Sequence, residues 1–453
     1  MIQMQLSEAA AVTNGVLHGN DVEFSGVSTD SRTTKSGDLF VALNGPNFDG
    51  HDWVSHAAEA GAKASLIQRQ LECQIPTVEV ADTLAALGAL ASAWRQRFDI
   101  PVIGVTGSAG KTTVKEMIGA VMRRNFDALV TAGNLNNEIG VPLTLFRLGP
   151  DTEVAVVEMG ASKRGDIAYL AKLAQPQIGI VTLCAPAHLE GFGDVQTVAE
   201  TKGEMFANLS PAGTAIVNNE DQFAGLWRSL AADRTILSFG KDGDVCAQDI
   251  QVEAESSSFR LITPGGQASC RIPLGGRHNV NNALAAAAAC VAAGIDLDSI
   301  VAGLNVVDAA PGRLNFIAGI HGCRVIDDTY NANPASMKAA LDVLAAYPGE
   351  KWFVLGDMGE LGAEAGQLHQ QVAQQAAAAG VSRLFAVGPL SRAACDVFEK
   401  DALHFESSSD LADAVDNELQ AAVTTPTILV KASRAMALDR VVQRLSRMGA
   451  EPC

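Results

Sequence analysis

Aromatic residues make up only 5% of the 453-residue chain, and no third of it is basic. Lysine and arginine number 6 against 11 acidic residues over 1–98, 15 against 23 over 99–312, and 12 against 17 over 313–453. A surface that grips a phosphate backbone needs the opposite balance, which argues against nucleic acid as a partner. The eight cysteines (Cys73, Cys184, Cys246, Cys270, Cys290, Cys323, Cys395 and Cys453) form no C-x-x-C pair. Such scatter fits reduced thiols in a cytoplasmic protein better than a disulfide frame or a zinc site. No basic region followed by an apolar stretch opens the sequence, and the blandest run, 283–295, is alanine-dominated and shorter than the roughly 20 residues a bilayer crossing needs. No transmembrane segment is expected.

What the chain does have is length and apolar content, 48% of residues, enough for about three cores of ordinary size. Residues 1–98 mix short strands at 26–29, 38–41, 64–67 and 77–80 with helices at 50–59 and 83–98. From Pro101 onward, strands at 102–106, 153–158, 178–183, 214–218 and 235–239 alternate with helical patterns. This alternation predicts a parallel sheet flanked by helices, with ligands at the carboxyl ends of the strands. Residues 245–274 change to short β-type runs, a small antiparallel appendage, before a helix at 279–293. Ala309 to Arg313 reads as a linker, and strands at 324–327, 352–355, 383–387 and 427–430 then form a second α/β unit. The expected divisions are 1–98, 99–312 and 313–453.

The most informative stretch is the apolar strand from Val102 that feeds Thr106-Gly107-Ser108-Ala109-Gly110-Lys111-Thr112-Thr113. Such a turn lets backbone N–H groups approach phosphate oxygens at a helix N-terminus; Lys111 adds a charge, and the Thr112 hydroxyl can reach Mg²⁺. A strict G-x-x-x-x-G-K-[ST] pattern would place a glycine at Val105, whereas the glycine is Gly104. The next parallel strand ends in Glu158, a hard oxygen ligand beside that loop, although a strand-terminal glutamate is commonly just solvated. His188 falls in the loop after 178–183, where an imidazole can ligate a metal or orient a phosphate. Lys202 lies between Glu200 and Glu204, and bare sequence favours a solvated helix face for it.

The phosphate loop, Glu158-Met159-Gly160, Ala185 to Phe192, Lys202-Gly203-Glu204 and Gly276 to Ala283, in that order, resemble the Mur ligase family. The resemblance extends over essentially the whole chain. It implies three α/β domains: a small substrate domain, a central P-loop ATPase and a Rossmann-like C-terminal domain. The implied activity is ATP-driven amide formation through an acyl phosphate, with ATP and Mg²⁺ as cofactors. Carried over by residue, it makes Thr112 and Glu158 magnesium ligands, lets His188 help hold a second metal, and matches Lys202 to a lysine that CO₂ can carbamylate. Lys111, His188 and Lys202 become the catalytic set. Gly107, Ser108, Ala109, Gly110, Lys111, Thr112 and Thr113 would bind nucleotide together with Asn282 and Arg313, and Asp328 would hold the ribose. Without the resemblance, Arg313 reads as a linker cation and Asp328 as a helix N-cap.

Ser28 to Arg32 and Asp38 to His51 resemble the family's uridine-binding module, with Ser31 and Arg32 at the diphosphate. Asp327 to Met337 and Leu355 to Gly362 resemble the member that joins D-Ala-D-Ala to UDP-N-acetylmuramoyl-tripeptide in cytoplasmic peptidoglycan precursor synthesis, which implies those two substrates and a monomer. Asn134 and Asn136 would face the muramyl-peptide; Asn331, Asn333 and Asp357 are candidates for D-Ala-D-Ala. The Lys431 to Arg434 turn departs from the family, which more usually has glycine at Ala432. Three alternatives stand beside this reading; one, folylpolyglutamate synthase, shares the ATPase and last domains but has its phosphate loop near the N-terminus, without a preceding domain like residues 1–98. The related ligase that adds the third stem-peptide residue usually shows Asp-Asn-Pro-Arg, which this chain lacks. A P-loop regulator that binds nucleotide without turnover would have no use for intact Lys111, Glu158, His188 and Lys202.

Overall fold

A computed structural model of the chain describes residues 1–446, so Cys453 lies outside the described residues. Cys73, Cys184, Cys246, Cys270, Cys290 and Cys395 are free thiols. The first sheet has five strands in the order Val16–His18, Thr77–Glu79, Ala64–Ile67, Asp38–Val41, Gly26–Ser28. All neighbours in it are parallel except the first pair. The helix expected at 50–59 begins as a 3₁₀ turn, Gly50–Trp53, and becomes α-helical only at Val54–Glu59. Helix Thr83–Arg95 starts on Asp82, whose carboxylate accepts the N–H groups of Leu84 and Ala85.

The central sheet is wholly parallel, in the order Ala128–Val130, Val154–Glu158, Val102–Thr106, Ile178–Val181, Thr214–Asn218, Thr235–Phe239. Chain order reverses direction at Val102–Thr106: the next two strands lie on one side of it and the later three on the other. That is a topological switch point, where the loops at the carboxyl edge part and leave a crevice. All five residues of this strand are buried, and alternate side chains feed opposite cores. Val102 joins a cluster running from Ile2 through Trp94 to Met205 and Trp227, so the first unit and the central sheet share one core. Ile103 and Val105 face the other side, against Ile118, the alanine helix Arg277–Ala292 and the appendage residues Leu261 and Ile272.

The appendage is a three-stranded antiparallel meander, Cys246–Val252, Ser257–Thr263 and Gly266–Ile272. The third sheet has the order Asn315–Ala318, Arg324–Asp328, Thr427–Lys431, Lys351–Gly356, Arg383–Val387, Asp401–Phe405, and only its first pair is antiparallel. Phe353 and Leu355 pack on one face of it, Trp352 and Val354 on the other. Besides Val16–His18 and the two-residue strands of the first unit, three strands escaped the sequence reading. Ala128–Val130 has three residues, Asp401–Phe405 is a partly exposed edge, and Asn315–Ala318 follows directly on the stretch read as a linker.

Candidate active site

The phosphate loop closes the strand Val102–Thr106 and opens helix Lys111–Met122. Gly107 and Gly110 take φ of +148° and +81°, and a side chain on Gly107 would run into the Thr182 hydroxyl. Gly104, the displaced glycine of the pattern, sits instead inside the strand, where a Cβ would press on Met205 at 3.0 Å. Its role is packing. Thr182 braces the loop by donating to the Ala109 carbonyl at 2.6 Å, and the Ser108 hydroxyl donates to the Ala185 carbonyl at 3.0 Å. Lys111 Nζ donates to the Gly107 carbonyl at 2.7 Å, and desolvation pushes its pKa down, aided by Arg313 and opposed by Glu158.

Glu158 is not a solvated strand end: it is 1% exposed. One carboxylate oxygen accepts the Thr112 hydroxyl at 2.8 Å, and the other accepts Asn136 Nδ2 at 2.7 Å. Lys115, which sequence reasoning passed over, lies fully buried with Nζ 3.7 Å from Glu158 and donates to the Thr131 carbonyl at 2.9 Å. The only advance sign of it was a lysine four residues after Lys111, one helical turn on. A carboxylate, a hydroxyl and room for phosphate oxygens and water suit Mg²⁺, which is commonly held by one or two protein ligands plus substrate phosphates. No cluster of three or more His, Cys, Asp or Glu suited to a metal occurs among the described residues.

Lys202 also departs from its expected solvated face. It is 2% exposed, its Nζ lies 5.6 Å from the Phe192 ring centroid, and desolvation with Lys111 nearby brings its pKa down to about 7. The flanking Glu200 and Glu204 point elsewhere: Glu204 accepts the Gly165 and Ala168 N–H groups, and Glu200 pairs with Arg164. His188 takes φ of +52° and precedes the short helix Leu189–Phe192. Burial lowers its pKa, against the pull of Glu360, and Lys111 and Lys202 both act on it electrostatically. Lys111, His188 and Lys202 therefore share one electrostatic neighbourhood.

The third unit supplies the opposite wall of a cleft of about 490 Å³. Arg313 stacks on Tyr330, 4.1 Å from the ring centroid, and donates to the Thr112 hydroxyl at 2.8 Å, so it is more than a linker cation. Asp328 is not the N-cap: it pairs with buried Lys431 at 2.5 Å and accepts the Leu314 N–H. The cap of helix Pro334–Ala345 is Asn333, in a reciprocal box with Ser336, and its Nδ2 donates to the Ser108 carbonyl of the phosphate loop at 3.3 Å. Asn282, Asn134, Asn136, Asn331 and Thr113 line the cleft too. His278, within the stretch Gly276 to Ala283 but assigned no role from sequence, lines it beside Asp328 and Lys431, with its pKa pushed down to about 4 by desolvation. Gly356 leaves room for Ala432, so the residue that departs from the family pattern is accommodated.

Gly107, Thr112 and Lys202 sit behind the cleft's lining, next to Lys111 or Glu158, whereas three candidates lie away from it. Ser31 and Arg32 belong to the first unit's surface turn, where the 86% exposed Arg32 pairs with Asp30 at 2.7 Å. Asp357 is committed to the backbone, accepting the N–H groups of Leu390 at 3.1 Å and Ser391 at 2.7 Å.

Residues 105–290 match the Mur ligase middle domain, 312–434 the Mur ligase glutamate ligase domain, and 23–120 the catalytic domain of the Mur ligase family. The chain is 43% identical to the UDP-N-acetylmuramoyl-tripeptide–D-alanyl-D-alanine ligase of Escherichia coli K12, over 99% of this chain and 100% of that protein. A crystal structure of MurF from Acinetobacter baumannii superposes with a TM-score of 0.93 at 36% identity, covering 98% of each chain. MurF ligase from Thermotoga maritima in complex with ADP gives 0.80 at 28% identity, covering 92% of this chain and 96% of that one.

Proposed function

The chain belongs to the Mur ligase family, and from that premise we infer an ATP-dependent, ADP-forming ligase that joins D-Ala-D-Ala to UDP-N-acetylmuramoyl-tripeptide in peptidoglycan precursor synthesis. The observation that carries this reading to particular residues is one cleft in which Lys111 and Glu158 face Arg313, Asp328 and Asn333. Backbone N–H groups of the loop 107–113 receive the ATP phosphates at the N-terminus of helix Lys111–Met122, with Lys111 as counter-charge. Asn282 and Arg313 hold the nucleotide, and Asp328 the ribose.

Thr112 and Glu158 are the residues that would hold Mg²⁺, with His188 and carbamylated Lys202 serving a second ion. When bound, the metal supplies positive charge to the transferring phosphoryl group. The terminal carboxylate of the tripeptide attacks the γ-phosphorus, ADP leaves, and an acyl phosphate forms. The D-Ala-D-Ala amine then attacks the acyl carbon, and phosphate departs with the former carboxylate oxygen. Arg313 and Asn333, reaching from the third unit to the phosphate loop, close the cleft against water that would hydrolyse the acyl phosphate. Ser31 and Arg32 receive the uridine diphosphate end at a distance from the chemistry, and Asn134 and Asn136 face the muramyl-peptide. Asn331 and Asn333 stand on the side from which the dipeptide would enter; the engagement of Asp357 with backbone gives it a bracing role instead.

We divide the chain functionally at 98/99 and 312/313, and place a monomeric enzyme in the cytoplasm. No helix among the described residues is long and apolar enough to cross a membrane. Lys111→Ala tests the assignment of the loop: turnover should fall by about 10²–10³-fold or more, since a preorganised charge on the phosphoryl group is lost. Near-normal ligation by the purified variant would contradict it.

A further inference from the structure

Glu360 comes from the third unit, yet its carboxylate meets Nδ1 of His188 in the central unit. A second crossing accompanies the first: the Glu190 N–H donates to the Glu360 carbonyl at 3.3 Å. The segment that presents Glu360 is tightly held. Met358 and Leu361 are buried in the third unit's core, the Met358 N–H donates to His369 Nε2 at 2.9 Å, and the Gly359 N–H donates to Ser433 Oγ at 2.6 Å. Glu360 and His188 both occupy left-handed backbone, at φ of +60° and +52°, a conformation that costs a non-glycine residue on the order of 1 kcal/mol or more.

With side chains 36% and 59% exposed, the pair adds little to stability. Orientation is a different matter. An imidazole held at Nδ1 by a carboxylate keeps its proton there and presents Nε2 as a lone pair, the arrangement in which histidine serves as a ligand or acceptor.

We propose that Glu360 is a positioning residue of the ligase reaction: closure of the third unit brings its carboxylate to His188 and locks the Nδ1–H tautomer, leaving Nε2 available to the cleft that His188 lines. The inference rests on the ligase reading, in which His188 serves the phosphate and metal site. It makes activation depend on domain closure, because half of the histidine's orientation is supplied from the other wall.

The test uses the full chain labelled with ¹⁵N at histidine, with ADP and Mg²⁺ added, and a His188→Gln variant to assign the resonance. Wild type should show the Nδ1–H tautomer at His188. In Glu360→Ala the population should move toward Nε2–H, kcat should fall roughly 10- to 100-fold, and KM for both substrates should stay unchanged. Glu360→Gln retains an acceptor oxygen and should restore both the tautomer and most of kcat. A wild-type tautomer and kcat in Glu360→Ala would overturn the proposal, as would a rise in KM alone, which would make Glu360 a substrate contact. Failure of the ligase reading is read separately: wild type would then show no ligation, while the tautomer measurement would still report whether Glu360 fixes His188.

Discussion

Removing water from the Lys202 amine weakens its hold on a proton, and Lys111 nearby weakens it further, so that at about 7 the neutral amine is well populated near physiological pH. Only the free amine adds to CO₂. In ¹³C-bicarbonate buffer the protein should therefore show a carbamate resonance that disappears in Lys202→Arg; a wild-type spectrum without it would contradict carbamylation. His278 carries a second residue-scale expectation. Its folded pKa of about 4 lies below the roughly 6.5 of an unfolded histidine, so between those values the unfolded chain binds more protons. Its contribution to stability is complete above pH ~6.5 and is lost as pH falls through ~4. Denaturant titrations across that window should show a shallower pH dependence in His278→Gln than in wild type; equal slopes would exclude His278 as a source. Neither effect could be read from sequence, because desolvation is a property of the surroundings: Lys202 is flanked by glutamates in the chain and by Phe192 and Lys111 in space.

Among the elements, those legible in advance are the ones whose pattern is local. The strand Val102–Thr106, the glycine turn and helix Lys111–Met122 announce themselves through apolar runs and glycines, and the meander Cys246–Ile272 through its turn residues. Edge strands such as Asp401–Phe405 have little burial to impose a pattern, and they went unseen. Caps were harder still. Asp328 and Asn333 both precede helix Pro334–Ala345, and only the fold decides that Asn333 caps it while Asp328 pairs with Lys431 from a neighbouring strand. Asn333→Ala should destabilise the third unit by about 1 kcal/mol, seen as a lower midpoint in denaturant. Asn333→Asp keeps an acceptor for the Ser336 N–H but loses the donor to the Ser108 carbonyl. That variant should retain stability while its apparent affinity for ATP falls; unaltered nucleotide binding would restrict Asn333 to capping.

On the scale of the whole molecule, the first two units share an apolar core, whereas the third meets them mainly through polar contacts: Arg313 to Thr112, Asn333 to Ser108, Glu360 to His188 and Tyr347 to Glu255. Apolar cores bind bodies together, and polar interfaces of this kind separate and re-form at modest cost. On the proposed reading, the third unit would admit substrates and then complete the site by closing. Phosphate release from ATP, measured with each substrate alone and with both, over a panel of peptide acceptors and amines, tests this account most directly. Sustained release is predicted only when UDP-N-acetylmuramoyl-tripeptide and D-Ala-D-Ala are present together. Nucleotide binding without turnover, or release indifferent to either substrate, would contradict it.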